Sequence, residues 1–199
     1  MKLGILMEGG ENLFLSCVAQ AMRESTPSYL EFGVAYGETI LGVWEHTKDI
    51  EHRRVYGIEL SDWASWNEIQ SRMSDKDNAF IIPGKSTEVL VHWPFGKLGA
   101  VLIDACHGKP CVMADFLAVE PHVTEGGIVM FHDAGRKEQG VDLQPHCNQP
   151  INVRAAIDEL GLWTNERQGW EYVGLIPTAN ATAVFRKVKT NHSPSDTVT

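Results

Sequence analysis

At 199 residues the chain is long enough for one complete α/β domain with a single core and too short for two large ones. Hydrophobic residues at 43% and charged residues at 22% are ordinary for a globular protein and exclude a largely disordered one. A formal net charge of −9 leaves no basic footprint for nucleic acid and repels an anionic membrane surface, so the expected partner is a small molecule or another protein.

The first residues, Met1 to Glu8, lack the long apolar core and cleavage pattern of a signal peptide, and no uninterrupted run of about 18 apolar residues follows. A cytoplasmic location, with no membrane association, is the expectation. The four cysteines, Cys17, Cys106, Cys111 and Cys147, stand at no disulfide-framework spacing and are expected to be reduced.

From about Gly10 to Glu24, Leu13, Leu15, Val18, Ala19 and Met22 recur at helical spacing and predict an amphipathic helix. Leu13 and Phe14 are candidate exposed apolar positions on it for a homodimer. Tyr29 to Phe32 is the first strand. It runs into a turn marked by Gly33 and Gly37, where a missing side chain lets backbone approach a ligand or simply bend, and a helix follows from about Glu38 to Thr47. Arg53 to Leu60 holds a second buried strand with Glu59 near its carboxyl end.

A helix starting with Ser61 or Asp62 as N-cap should continue through Met73, with Trp66, Ile69 and Met73 on one face. Ala79 to Ile82 is the third strand, and the next helix runs from Ser86 to about Trp93, closed by Pro94. Gly99 to Asp104 is the fourth strand, and Lys109 to Val123 a helix with Pro110 in its first turn. Gly126 to Phe131 is the fifth strand, leading into His132 and Asp133. Arg136 to Gln149 is polar and reads as the longest loop, followed by a last helix from Pro150 to Leu160. Trp170 to Ile176 and Ala181 to Lys187 form a hairpin around residues 177–180, and the chain beyond about Thr190 has no apolar anchor. Trp63, Trp66, Trp93 and Trp163 are expected as core or pocket walls.

Five strand-helix alternations predict a parallel sheet with helices on both faces, and ligands in such sheets sit at the strands' carboxyl ends where the order reverses. The chemically rich residues all lie at such ends. Glu59, 22 residues after Gly37, suits a ribose whose hydroxyls it accepts, or is a solvated strand end. Lys85 and Ser86 suit an adenine edge, or Ser86 is an N-cap. Asp104, His107, His132 and Asp133 share one rim. They either bind a divalent cation, supply a metal-free general base, or serve turns and caps. Cys106, His107, Cys111, His146 and Cys147 offer a zinc set on paper, without the usual tight spacing.

In order, these stretches resemble the class I S-adenosylmethionine-dependent methyltransferases, and among them the branch whose fourth and fifth strands end roughly in "IDGDHSY...AD" and "PGGxxxxHD". The matching stretches are Ile103-Asp104-Ala105-Cys106-His107, Ala114-Asp115 and Glu125-Gly126-Gly127-Ile128-Val129-Met130-Phe131-His132-Asp133. Glu31-Phe32-Gly33-Val34-Ala35-Tyr36-Gly37, Tyr56-Gly57-Ile58-Glu59 and the closing hairpin complete a likeness spanning about residues 28–188, flanked by an N-terminal helical segment, 1–27, and a disordered tail, 189–199.

The resemblance implies a Rossmann-like sheet of seven strands, mostly parallel with an antiparallel last strand. It implies S-adenosylmethionine as cofactor, with Glu31, Gly33, Tyr36 and Gly37 around the methionine part, Glu59 on the ribose, and Lys85, Ser86 and Asp104 completing the pocket. It makes Gly33→Val a variant weakened in cofactor binding. It implies transfer to a small hydroxylated acceptor of sugar or natural-product type, with Asp104, His107, His132 and Asp133 as catalytic candidates and Mg2+ on Asp104, His132 and Asp133. Three positions depart from the pattern: Cys106 replaces its second acid, His132 the first of its acidic pair, and Lys109 an aromatic. An NAD-linked oxidoreductase and a non-catalytic S-adenosylmethionine-binding protein are the alternatives.

Overall fold

The computed structural model describes residues 10–60, 65–135, 143–144, 148–178 and 180–189. Helix α1 (Gly10–Glu24) buries Phe14, Leu15, Val18, Ala19 and Met22. Leu13 is 50% exposed, but its neighbour Phe14 is fully enclosed, so Phe14 is a core residue and not the surface position expected for a dimer. Successive helix residues point about 100° apart, which is why one faces solvent and the other the sheet.

In chain order follow β1 (Ser28–Phe32), α2 (Glu38–His46), β2 (Arg54–Glu59), α3 (Trp66–Met73), β3 (Ala79–Pro83), α4 (Ser86–Val91), β4 (Leu98–Ile103), α5 (Lys109–Val119) and β5 (Val123–Phe131). Then come the short strands β6 (Leu143–Gln144) and β7 (Gln149–Pro150), α6 (Val153–Glu159), β8 (Trp170–Ile176) and β9 (Thr182–Lys187). One seven-stranded sheet has the order β3-β2-β1-β4-β5-β9-β8. The first five of these pair in parallel, and β9 runs antiparallel to both β5 and β8.

Strand β1 is buried along all five residues, as a central parallel strand covered on both faces must be. Its side chains alternate between two cores. Leu30 and Phe32 join Leu90, Val112, Phe116 and Ile157 from α4, α5 and α6, whereas Tyr29 joins Val18, Ile40 and Ile69 from α1, α2 and α3. The first helix thus shares the core of the sheet. The order reverses at β1, with β2 on one side and β4 on the other, which opens the crevice at the carboxyl ends of β1 and β4.

Several boundaries differ from the sequence reading. Helix α5 stops at Val119 and a 3-10 turn, Glu120–His122, leads into β5, so Val123 is a strand residue. Pro121, which has no N–H to continue the helix, explains the stop, and Glu120 fixes the turn. Its carboxylate accepts the Arg167 guanidinium and the Trp170 indole N–H at 2.8 Å, while Lys187 Nζ donates to the Glu120 and Val123 carbonyls at 2.8 and 3.0 Å. The turn is pinned to the terminal hairpin. Pro150 belongs to β7 rather than to the last helix, which starts after Asn152, whose side chain accepts the Ala155 N–H at 3.2 Å. The expected long loop therefore contains a small β6-β7 ribbon. The expected helix start at Ser61 or Asp62, Trp63, His146, Cys147 and the tail from 190 lie outside the described residues.

Trp93 and Trp163 are partly buried and pack against the core: Trp93 meets Tyr56 and Phe95 edge-on, and Trp163 meets Tyr172 and Phe185. Among the described residues no helix is long and apolar enough to cross a membrane.

Lys85, not Ser86, occupies the N-cap of α4. The Ser86 hydroxyl donates to the Asp115 carboxylate on α5. Burial pushes Asp115 up from 3.8 to about 6, against the lowering effect of that bond. A raised carboxyl binds its proton more tightly in the folded state, so its contribution is most favourable below about pH 4 and is lost as pH rises through about 6. Asp115→Asn is expected to exceed the parent's stability at pH 8 by on the order of 2–3 kcal/mol and to match it near pH 4. Urea midpoints at the two pH values test this, and an unchanged difference between them would contradict the raised value.

Candidate functional site

The turn after β1 is built by backbone constraint. Gly33 N–H donates to the Ile58 carbonyl at 3.0 Å and Gly37 N–H to the Val34 carbonyl at 2.8 Å. Gly33, Ala35 and Gly37 all take positive φ, at 78°, 48° and 82°. The glycines are required by the protein itself. A Cβ on Gly33 would stand 2.4 Å from the Asp104 carbonyl oxygen, and one on Gly37 would stand 2.0 Å from Ile69 Cδ1. The absent side chains thus admit the backbone that follows β4 and an α3 side chain, a packing requirement that stands beside the ligand-facing role expected of this turn.

Glu59 ends β2 with its carboxylate turned to that loop: Oε2 accepts the Ala35 N–H and Oε1 the Leu60 N–H, each at 2.8 Å. Each oxygen keeps a lone pair for a further donor. Tyr36 is 49% exposed at the rim. Glu31 is enclosed within the sheet layer, where the Tyr29 hydroxyl donates to it at 2.8 Å. Burial pushes its carboxyl well above the usual range; the Tyr29 bond opposes this, and the charges of Asp104, Glu59 and Glu38 reinforce it. Lys85 is a surface residue whose ammonium lies 3.7 Å from Glu88.

Across the crevice, ladder bonding continues one residue past the strands: Asp104 N–H donates to the Phe32 carbonyl at 3.1 Å and His132 N–H to the Ile103 carbonyl at 3.2 Å. This sets the two side chains abreast. Asp104 Oδ1 is 2.9 Å from His107 Nε2 and 2.8 Å from His132 Nδ1, so one oxygen faces two imidazoles. The His107 contact is an aligned hydrogen bond, whereas the angle at His132 leaves a charge contact. Asp133, itself at φ 60°, lies 3.4 Å from His132 Nδ1 and 3.9 Å from His107 Nε2. Burial opposes ionisation of Asp104, but the two imidazoles outweigh it and hold its carboxyl below the usual value. Burial likewise works against protonated His132, and Asp104, aided by Asp133, raises it nonetheless. His107 is the most exposed of the four.

Asp104, His107 and His132 offer ligand atoms within 4.8 Å of one another. The structure thus adds His107 to the expected group, with Asp133 beside it. His132 Nε2 is buried without a hydrogen-bond partner, an orphaned polar atom that a ligand's acceptor would satisfy if the nitrogen carries a proton and a metal ion would satisfy if it does not. Two nitrogens and one carboxylate suit a transition metal such as Mn2+, Fe2+ or Zn2+ better than Mg2+, which prefers oxygen. Cys106 and Cys111, from the alternative zinc set, are both half-buried in this loop and helix start.

Sequence reasoning missed Ser65 and Arg72, which bond the glycine turn from α3, and the tie of Asn152 N–H to the His107 carbonyl at 2.9 Å. Asp115 stood in the matched stretches without a role. The pairing of Asp115 with Ser86, 29 residues away, has no local signal.

A sequence-family profile described as a methyltransferase domain matches residues 30–134. No curated protein sequence gives a significant match. Among solved structures, the SAH-bound methyltransferase PaMTH1 of Podospora anserina superposes with a TM-score of 0.65 at 17% identity, over 90% of this chain and 78% of that one. The O-methyltransferase NovP gives 0.64 at 15%, over 90% and 79%. The MycE methyltransferase from the mycinamycin biosynthetic pathway, solved with Mg and SAH, gives 0.60 at 18%, over 94% of this chain and 51% of the other. At such identities the likeness is one of fold.

Proposed function

The chain belongs to the S-adenosylmethionine-dependent methyltransferase-domain family, and from that premise we propose that it O-methylates a small hydroxylated molecule of sugar or natural-product type. The observation that carries this is the convergence of Asp104, His107, His132 and Asp133 on the rim opposite Glu59 and the glycine turn. A proton acceptor beside a cofactor crevice suits a hydroxyl acceptor, whose oxygen must lose its proton as it is methylated.

In the proposed reaction the acceptor oxygen attacks the sulfonium methyl in line. The C–O bond forms as the C–S bond breaks, S-adenosylhomocysteine leaves, and the acceptor proton passes to the protein. The donor is already activated, so the chain's task is alignment and proton removal. Glu59 holds the ribose hydroxyls, the 33–37 turn the methionine part, and Lys85 and Ser86 the adenine edge. His107 takes the proton, oriented by its 2.9 Å bond to Asp104. Asp133 and the Asp104–His132 pair stabilise the charge that results.

A metal-assisted version is favoured by the buried, unpartnered His132 Nε2 and by the clustered donors. A divalent ion on Asp104, His107 and His132 would supply Lewis-acid activation of the acceptor hydroxyl. The chain's own part would then be to release protons from the imidazoles and hold the acceptor. Cytoplasmic location and a small-molecule acceptor belong to the same proposal.

Calorimetric titration with S-adenosylhomocysteine tests the cofactor half. The parent is expected to bind, and Glu59→Gln to bind at least about tenfold more weakly, since the amide accepts less well and turns an N–H donor toward the ribose. Equal affinity would count against Glu59 as the ribose acid. A panel of hydroxylated acceptors, assayed after chelation and after adding back Mn2+, Zn2+ or Mg2+, tests the other half. Tight binding without transfer to any acceptor would favour the non-catalytic alternative.

A further inference from the structure

We propose that α3 clamps the cofactor turn, and that Ser65, Ile69 and Arg72 are positioning residues that set the affinity for S-adenosylmethionine. This rests on the methyltransferase reading and adds residues that neither the strand ends nor the family motifs point to. Ser65 occupies the N-cap of α3, where a serine hydroxyl ordinarily accepts an N–H from the first turn. It makes no such bond. Buried to 1% exposure, its O–H donates instead to the Ala35 carbonyl at 2.7 Å, 30 residues back in the chain.

One helical turn later, Ile69 fills the space beside Gly37. A turn further, the Arg72 guanidinium donates to the Tyr36 carbonyl and lies 3.5 Å from Glu38. Positions 65, 69 and 72 are i, i+4 and i+7, a single stripe along one helix face. That stripe meets the turn at Ala35, at Gly37 and at Tyr36 with Glu38, respectively.

Ala35 is where the clamp matters most. Its φ of 48° is one that residues with a side chain seldom adopt, so the surroundings must hold it there. Glu59 accepts its N–H and Ser65 donates to its carbonyl, so side chains flanking the β2-α3 connection grip both of its polar backbone groups. The element that supplies the ribose acid thereby also sets the shape of the methionine cradle. Released from α3, the turn would spend part of its time in other shapes, and apparent cofactor affinity would fall by the competent fraction. Bound molecules would react as before, because none of the three residues reaches the Asp104 cluster.

The test is calorimetric titration of the full chain with S-adenosylhomocysteine for the parent, Ser65→Ala, Arg72→Ala and Arg72→Lys, beside thermal melts of the unliganded proteins. Both alanine variants are expected to raise Kd by about tenfold, with Arg72→Lys recovering part of the loss because it keeps a donor for the Tyr36 carbonyl. On whichever acceptor the parent methylates, KM for the cofactor should rise while kcat and acceptor KM hold. A parent that does not bind removes the functional reading and this inference with it. A parent that binds, with alanine variants within twofold of it, overturns the inference alone. Equal losses in Arg72→Lys and Arg72→Ala that merely follow the fall in melting temperature overturn it as well. Should Ser65→Ala fail to fold, the more exposed Arg72 carries the comparison.

Discussion

Gly33→Ala is expected to cost on the order of 4 kcal/mol of folding stability, a large part of the roughly 5–15 kcal/mol that holds a domain together. Two causes add. A left-handed φ of 78° strains any residue with a Cβ by about 1–2 kcal/mol. The new carbon would also stand 2.4 Å from the Asp104 carbonyl oxygen and 2.6 Å from Ala105 Cα, both backbone atoms of the neighbouring strand end. Relief requires parting β1 from β4 at the point where the sheet order reverses. Gly96→Ala is the control: its φ of 84° carries the same strain, but nothing lies within 4 Å of the added carbon, so about 1 kcal/mol is expected. Urea denaturation of the two variants measures the difference. Equal losses would mean that the β4 backbone yields freely. The loss of cofactor binding expected of Gly33→Val is therefore to be measured on protein shown to be folded, because the larger side chain meets the same backbone atoms.

Asp104→Asn is expected to lower kcat by about a hundredfold to ten-thousandfold while leaving S-adenosylhomocysteine affinity within a few-fold. Asparagine keeps the size of the side chain and removes the charge that two imidazoles face at 2.8 and 2.9 Å. His132 loses the partner that raises its pKa against burial, and His107 loses an ionic acceptor that orients its ring. If Asp104 instead ligates a cation, the amide is the weaker ligand and turnover falls by that route. Added Mn2+ at millimolar concentration then restores part of the rate, and it restores none in the metal-free case. The measurement is initial rate on whichever acceptor the parent methylates, paired with calorimetric Kd. An unaltered kcat would remove Asp104 from the reaction.

Much of this architecture was legible from residue pattern because its determinants are local. Tyr29 to Phe32, Ala79 to Ile82 and Gly99 to Ile103 are short, mostly apolar runs between turn residues, and they became the central strands β1 and β4 and the parallel edge strand β3. The α1 spacing marked its bounds at Gly10 and Glu24. Errors arose at a helix breaker and where a distant partner decides the outcome. Lys109 to Val123 reads as one helix, but Pro121 breaks it, and the 3-10 turn there is held by Arg167 and Trp170, some 50 residues downstream, through Glu120. Phe14 and Leu13 are equally apolar, and only the sheet beneath α1 determines which is covered.

The same division holds for the site. Strand ends announce themselves, since an ionisable residue closing an apolar run must face a rim, and so Glu59, Asp104, His132 and Asp133 could be named from order and composition. Family, cofactor and the antiparallel last strand came from the resemblance that these residues carry in order, whereas the strand-end position of the ionisable groups follows from the parallel sheet itself. Which atoms meet is a different matter. That one Asp104 oxygen faces two imidazoles, that His107 joins this group, that Gly33 and Gly37 pack against the chain after β4 and against α3, and that Ser65 and Arg72 grip the turn all depend on pairings between residues far apart in the chain or on side-chain direction. Those are set by sheet order and helix packing, for which no local stretch of sequence carries the information.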